Sequence, residues 1–112
     1  QGWAIYGFAL AYKYAKEKEF LITAEKLVDY YLANCPSDYV PYWDLNDPDM
    51  PNTVRDSSAA VITACGLLEL FRVSGERRFK SISSSILNSL CKYYLAEEDK
   101  DGILKHGCFN KP

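Results

Sequence analysis

The residues able to do chemistry in this 112-residue chain fall in a few short stretches. Tyr42-Trp43-Asp44 sets two aromatic rings beside a carboxylate. That combination suits a sugar, because ring faces pack on pyranose C–H groups while the acid binds hydroxyls. The same rings could instead pin a loop to the structure beneath it. In Arg55-Asp56-Ser57-Ser58 an acid stands directly before an apolar run, where its first use is as an N-cap for orphan amides. Arg55 has the fork geometry for a bidentate pair, with a carboxylate of the protein or with a substrate uronate. His106, in Lys105-His106-Gly107-Cys108, reads either as a surface residue or as a proton carrier. Trp3 and Tyr6, one helical turn apart, divide between core packing and pocket lining.

Other chemistries are excluded. A single histidine rules out multi-histidine metal sites, and no phosphate loop, dinucleotide fingerprint or nucleophile elbow occurs. Glu97, Asp99, Asp101 and Gly102 imitate the front of a calcium loop, but Cys108 stands where the bidentate Glu is required. Neither a metal nor a cofactor is therefore expected. Cys35, Cys65, Cys91 and Cys108 form no C-x-x-C pair and read as buried free thiols. They imply no compartment, so cytoplasm and periplasm (in a bacterial source) stay equally open. Thirteen Lys+Arg against fifteen Asp+Glu, a net charge of −2, argues against nucleic acid or an anionic membrane as partner. No apolar run approaches the roughly 18–20 residues of a membrane span, and no signal segment is seen. With 48% hydrophobic residues the chain is a folded one.

Four helices must position these groups. The first, from about Trp3 to Ala15, has no polar face and so expects neighbours on every side. The second, from about Phe20 to Ala33, carries one stripe of Leu21, Ala24, Leu27, Val28, Tyr31 and Leu32. The third, after Asp56, again lacks a continuous polar face. The fourth is amphipathic, with Phe79, Ile82, Ile86, Leu87, Leu90, Cys91 and Tyr94 on one side. Aligning Phe20 with Phe79 gives a period of 59 residues and places Gly7 on Gly66, Phe8 on Leu67, Tyr12 on Phe71 and Leu27 on Ile86. A repeated hairpin of one buried and one half-buried helix suggests a double-layered helical toroid, with a plain helical bundle as the alternative. In such a toroid the inner helices run parallel. Gln1 to Trp3, the loop from Cys35 to Asp56 and the tail from Glu97 to Pro112 then share one rim. That loop, about twenty residues long, exceeds ordinary connections and is a candidate binding loop.

The opening Gln1-Gly2-Trp3-Ala4-Ile5-Tyr6-Gly7-Phe8-Ala9-Leu10 resembles the segment R-G-Q-x-W-x-I-Y-G-F of unsaturated glucuronyl hydrolases, glycoside hydrolase family 88. Pro41-Tyr42-Trp43-Asp44, Arg55-Asp56-Ser57-Ser58-Ala59-Ala60 and Lys105-His106-Gly107 follow in that family's order. The related unsaturated rhamnogalacturonyl hydrolases match the first segment less well. The resemblance implies an all-α fold, part of an (α/α)6 barrel, with residues 1–112 supplying about two helical hairpins plus rim loops of one catalytic domain. It implies removal of a 4,5-unsaturated uronic acid from the non-reducing end of lyase-generated oligosaccharides. In that reaction an aspartic acid protonates C4, water adds at C5 and the hemiketal opens, which needs a carboxyl able to give and recover a proton. The family's two catalytic aspartates, and an arginine for the uronate carboxylate, correspond to positions upstream of Gln1, so no catalytic residue is expected within the chain. Trp3 matches a substrate-contacting Trp. Gln1, Trp43, Asp44, Arg55 and His106 are further candidates for contact with an unsaturated uronyl oligosaccharide. Beginning without Met and ending at Lys111-Pro112, the chain reads as a piece similar to the C-terminal half of such an enzyme. Its other expected partners are the remaining segments of the same barrel, and alone it is expected to be inactive. A non-catalytic helical-repeat binding module is the competing reading.

Overall fold

The computed structural model describes residues 1–108; the last four positions of the tail, including Lys111-Pro112, lie outside the described residues. Four helices follow one another: α1 (Gly2–Ala15), α2 (Lys18–Asn34), α3 (Ser57–Ser74) and α4 (Arg77–Tyr93). The 59-residue period holds at every matching boundary except the starts of α1 and α3. Ala15 and Ser74 end the first helix of each hairpin, Lys18 and Arg77 open the second, and Asn34 and Tyr93 end it. The turns match residue for residue. Lys16 (φ 60) and Gly75 (φ 76) are both left-handed C-caps whose N–H groups bond Tyr12 and Phe71. This geometry satisfies carbonyls that the helix end would leave orphaned. Glycine adopts it without penalty and lysine does not.

The helices form two layers, and the smallest extent of the molecule, 21 Å, is that of two helices stacked at the usual 8–10 Å separation. Helices α1 and α3 pack on each other, with α2 on α1 and α4 on α3. The α1–α3 contact is parallel. Gly2 lies against Ala59 and Thr63, one turn further on Gly66 lies against Ile5 and Tyr6, and both contacts involve backbone. A Cβ on Gly66 would sit 2.9 Å from the Tyr6 nitrogen, so the absence of a side chain there sets the separation of the two helices. Around this seam lie the fully buried Ile5, Leu67, Leu70, Phe79 and Ile86. Ser83 donates to the Ala64 carbonyl at 3.0 Å, joining the layers through a buried bond.

Two expectations need correction. Helix α1 is apolar all round but covered only by α3 and α2: Trp3 and Tyr14 are 70% and 78% exposed, because among the described residues α3 is its one inner neighbour. The thiols are free but not uniformly buried. Cys65 and Cys91 are exposed, and Cys35 and Cys108 half-buried. Local apolarity says that a helix side is covered without saying by what. Helix α3 has the length and mean hydropathy (1.3) of a membrane-crossing helix, yet it packs against α1 and α4 as a core helix does.

Gly66→Ala should separate the seam. We expect a loss of about 1–3 kcal/mol, as for overpacking of a tight core, read as a lower urea midpoint at unchanged slope. The control is Gly102→Ala, where a Cβ meets nothing within 4 Å and the midpoint should barely move.

Candidate functional site

The loop between α2 and α3 is built around its own polar groups. Its two arms pair antiparallel at Tyr42 and Arg55, with Trp43 N–H donating to Val54 and Asp56 N–H to Pro41. Between the arms Asp47, 4% exposed, accepts from the Trp43 indole N–H, from the Thr53 hydroxyl at 2.6 Å and from the Asp49 amide at 2.9 Å. A buried carboxylate is tolerable only when donors surround it in this way. Asp47 thus folds the loop tip and fixes the edge of the Trp43 ring.

A second polar node anchors the loop to the helices. Arg55 pairs with Asp38, donates from Nε to the Val40 carbonyl at 3.0 Å and stacks on Tyr42, 5.0 Å from the ring centre. The Tyr94 hydroxyl at the end of α4 donates to the other oxygen of Asp38 at 2.8 Å. Burial, and then the bond to Asp38, push the Tyr94 hydroxyl up to about 12. Burial also raises the Tyr31 phenol and pushes the Cys35 thiol up to about 11, so neither is an ionised nucleophile at neutral pH.

The tail closes back on α3. Leu95 pairs with Leu104. The His106 carbonyl then accepts from Ser57 N–H at 2.9 Å, and the Ser57 hydroxyl donates to Lys105 O at 2.6 Å. Asp56 caps α3, accepting from the amides of Ser58 and Ala59 and from Cys108 N–H at 3.3 Å. The N-cap reading of Asp56 therefore describes its place in the structure.

Where the N-termini of α1 and α3 meet this loop, a cleft of about 140 Å³ opens, lined by Gln1, Gly2, Tyr31, Tyr42, Trp43, Asp44 and Ala59 among others. Three of the candidates read from the sequence, Gln1, Trp43 and Asp44, converge there. Asp44 is exposed and accepts from the Asn46 amide at 2.9 Å. Arg55 stands beneath Tyr42, engaged with Asp38, and is not among the lining residues. Trp3 lies outside the cleft on the open side of α1, edge-on to Tyr6 at 6.5 Å. His106 is exposed on the tail, its ring edge-on to Tyr94 at 5.9 Å. Sequence reasoning missed Asp38, Asp47 and Tyr94 as organisers. Asp47-Pro48-Asp49 carried the signal of a side chain turning on its own backbone, while the Asp38–Tyr94 bond, across 56 positions, had none. Among the described residues no group of three or more His, Cys, Asp or Glu is placed to hold a metal ion.

No family profile matches the chain. Individual proteins do. An unsaturated glucuronyl hydrolase of Formosa agariphila is 37% identical, aligned over 100% of this chain and 29% of its own length. One from Bacillus sp. strain GL1 is 37% identical over 98% of this chain and 31% of its own. An unsaturated chondroitin disaccharide hydrolase of Streptococcus pyogenes is 33% identical over 98% and 29%. Among solved structures, the Bacillus sp. GL1 hydrolase matches with a TM-score of 0.86 at 36% identity, covering 95% of this chain and 30% of that one. A Streptococcus agalactiae unsaturated glucuronyl hydrolase complexed with dGlcA-GalNAc6S matches at 0.84 and 31%, covering 95% and 30%. The resemblance drawn from the motifs is thereby shown. The chain matches unsaturated glucuronyl hydrolases along nearly all of its length and spans about 30% of theirs. Its all-α hairpins have the fold of the corresponding part of these (α/α)6 barrels.

Two consequences of the polar nodes are measurable. The Tyr94 phenol is held neutral by the fold, above its ordinary value of about 10, so its contribution is complete below that pH and fades as pH rises through about 12. The stability difference between the protein and Tyr94→Phe should be constant at lower pH and shrink across that alkaline window, in denaturant titrations at each pH. Asp47→Ala should leave the helices intact but free the loop tip, seen as much faster proteolytic nicking between residues 44 and 53.

Proposed function

We propose that residues 1–112 form part of the substrate rim of a glycoside hydrolase that removes 4,5-unsaturated uronic acid from lyase-generated oligosaccharides by enol-ether hydration. The observation that carries this is the convergence of Gln1, Tyr42, Trp43 and Asp44 on one cleft in a chain 37% identical to unsaturated glucuronyl hydrolases. Within this reading the chain belongs to a single barrel domain whose other hairpins carry the paired aspartates. Protonation at C4 and addition of water at C5 take place against those carboxyls. Trp43 and Tyr42 offer ring faces to the sugar, with Asp44 and Gln1 binding hydroxyls. The first turn of α1, which no side chain caps, points amide N–H groups and the positive end of its dipole to this rim, which favours an anionic sugar; the corresponding amides of α3 are taken by Asp56 and the His106 carbonyl. Arg55 holds Tyr42 and the loop in place through Asp38. Trp3 stacks on the sugar from the open side of α1, and His106 belongs to the tail that completes the rim.

Loss of the ultraviolet absorbance of the ring double bond in an unsaturated chondroitin disaccharide tests this. The full-length protein containing this chain should clear it, and the 112-residue chain alone should not. Turnover by the chain alone would place the catalytic residues within it, and a full-length protein without turnover would favour a binding module. In the full-length enzyme Trp3→Ala should lower kcat/KM about tenfold, the worth of one aromatic stacking contact, with little change in Tm, and Trp3→Phe should recover part of it. A Trp3 that packs in a core would instead cost about 3–5 kcal/mol of stability on truncation.

A further inference from the structure

Five side chains make a continuous line of contacts across the rim, and Tyr42 alone among them lines the cleft. Arg55 stacks on the Tyr42 ring, 5.0 Å from its centre, and pairs with Asp38. The Tyr94 hydroxyl donates to the other oxygen of Asp38 at 2.8 Å. The Tyr94 ring in turn meets that of His106 edge-on at 5.9 Å. Tyr42, Arg55 and Asp38 belong to the loop between α2 and α3, and His106 belongs to the tail. Tyr94, the C-cap of α4, joins the two. It is 7% exposed, and its carbonyl also accepts from the Lys105 N–H of the tail at 2.7 Å. Among the described residues three other than glycine have positive φ: Lys16, Tyr39 and His106. Lys16 ends α1, whereas Tyr39 follows Asp38 in the chain and His106 touches Tyr94. Residues other than glycine keep that conformation only where their surroundings over-determine it, as they do at functional sites.

We propose that Tyr94 is a positioning residue for the sugar-binding wall. Its hydroxyl fixes Asp38, Asp38 fixes Arg55, and Arg55 sets the plane of the Tyr42 ring on which the sugar packs. The Tyr94 ring steadies His106 at the same time, so loop and tail meet the sugar as one unit. A ring already held in place needs no ordering when the sugar binds, and its support therefore contributes to affinity. Tyr94 touches neither the sugar nor the transferred proton, so its effect falls on KM and leaves the chemical step alone. This inference rests on reading the cleft as the site of an unsaturated uronyl sugar.

Kinetics of the full-length protein containing this chain, on an unsaturated chondroitin disaccharide, test it. Tyr94→Phe keeps the ring beside His106 and removes only the hydroxyl. It should raise KM about fivefold, the worth of one hydrogen bond, at nearly unchanged kcat, the mark of lost ground-state binding. In a Tyr42→Ala background the same substitution should leave KM nearly where it was, because the ring it positions is gone. Asp38→Asn should raise KM to a similar extent, and it carries the comparison if Tyr94→Phe does not fold. Tyr93→Phe, which alters an exposed phenol one residue away, should change nothing. An equal rise in KM with and without the Tyr42 ring overturns the proposal. So does a fall in kcat at constant KM. A lower Tm with both constants unchanged also overturns it and makes the Tyr94–Asp38 bond a structural tie only. These results in an active enzyme defeat this inference alone. A protein that binds the disaccharide without turning it over defeats the activity reading alone, and the same comparisons are then made on Kd.

Discussion

The contact on which the rest of the structure depends is the parallel approach of α1 and α3 through two positions without side chains. Gly66 admits the backbone of Tyr6, and Gly2 admits Ala59 and Thr63. Parallel packing of consecutive inner helices forces the connection between them to travel the full length of a hairpin and return. That return is α2, which brings the chain back to the starting rim, so the loop after it has only to step inward to the start of α3. The loop from 35 to 56 is far longer than that step requires, and the excess length makes it available for binding. The short turns at Lys16 and Gly75 lie at the other ends of the same helices.

A loop of that length needs a source of order beyond Val40 and Leu45, the two residues it places in the hydrophobic core. Here polar groups turned inward supply the order. Asp47 gathers the tip, while Asp38 joins Arg55 to Tyr94 and so ties the loop to the end of α4. The tail makes a further tie through Ser57 and Asp56 at the start of α3. Each tie is a charge-assisted or backbone hydrogen bond in a partly buried place, where it is worth more than on an open surface. The exposed Arg78–Asp29 pair between α4 and α2 adds little by comparison.

The helices and the 59-residue period were readable in the sequence because both are local or translational properties. Helical periodicity needs only a dozen neighbouring residues, and the matched phenylalanines at 20 and 79 mark the same turn twice. Asp56 was readable as a cap because capping is decided within four residues. The organisers of the loop were not, since Asp38 and Tyr94 meet only after two helices have folded between them. Nor could the sequence distinguish Leu67, fully buried, from Cys65, exposed, on one apolar helix. The distinction depends on which neighbour is present. Trp3 and Trp43 were read as members of one rim, yet only Trp43 lines the cleft, because a helix residue faces where its turn points it while a loop residue faces where its hydrogen bonds hold it.

The seam and the cleft are not separate features. Gly2 lines the cleft with Ala59, and the same two residues are in contact across the α1–α3 seam. A side chain at position 2 would therefore act twice, pushing the helices apart at Thr63 and altering the floor on which a ligand rests. Apart from Gln1, which precedes α1, the other lining residues come from α2 and from the loop that Asp47 and Asp38 hold. The cleft thus has a floor set by helix packing and a wall set by buried polar bonds. Its solvent-facing groups, Gln1 and Asp44, remain available because the ordering is done by neighbours. Asp44 needs only the Asn46 amide to hold its own turn, whereas Asp47, three residues on, has its carboxylate engaged by Trp43, Thr53 and Asp49. Dividing two nearby acids in this way, one spent on structure and one left facing the cleft, gives a binding wall that is both rigid and chemically open.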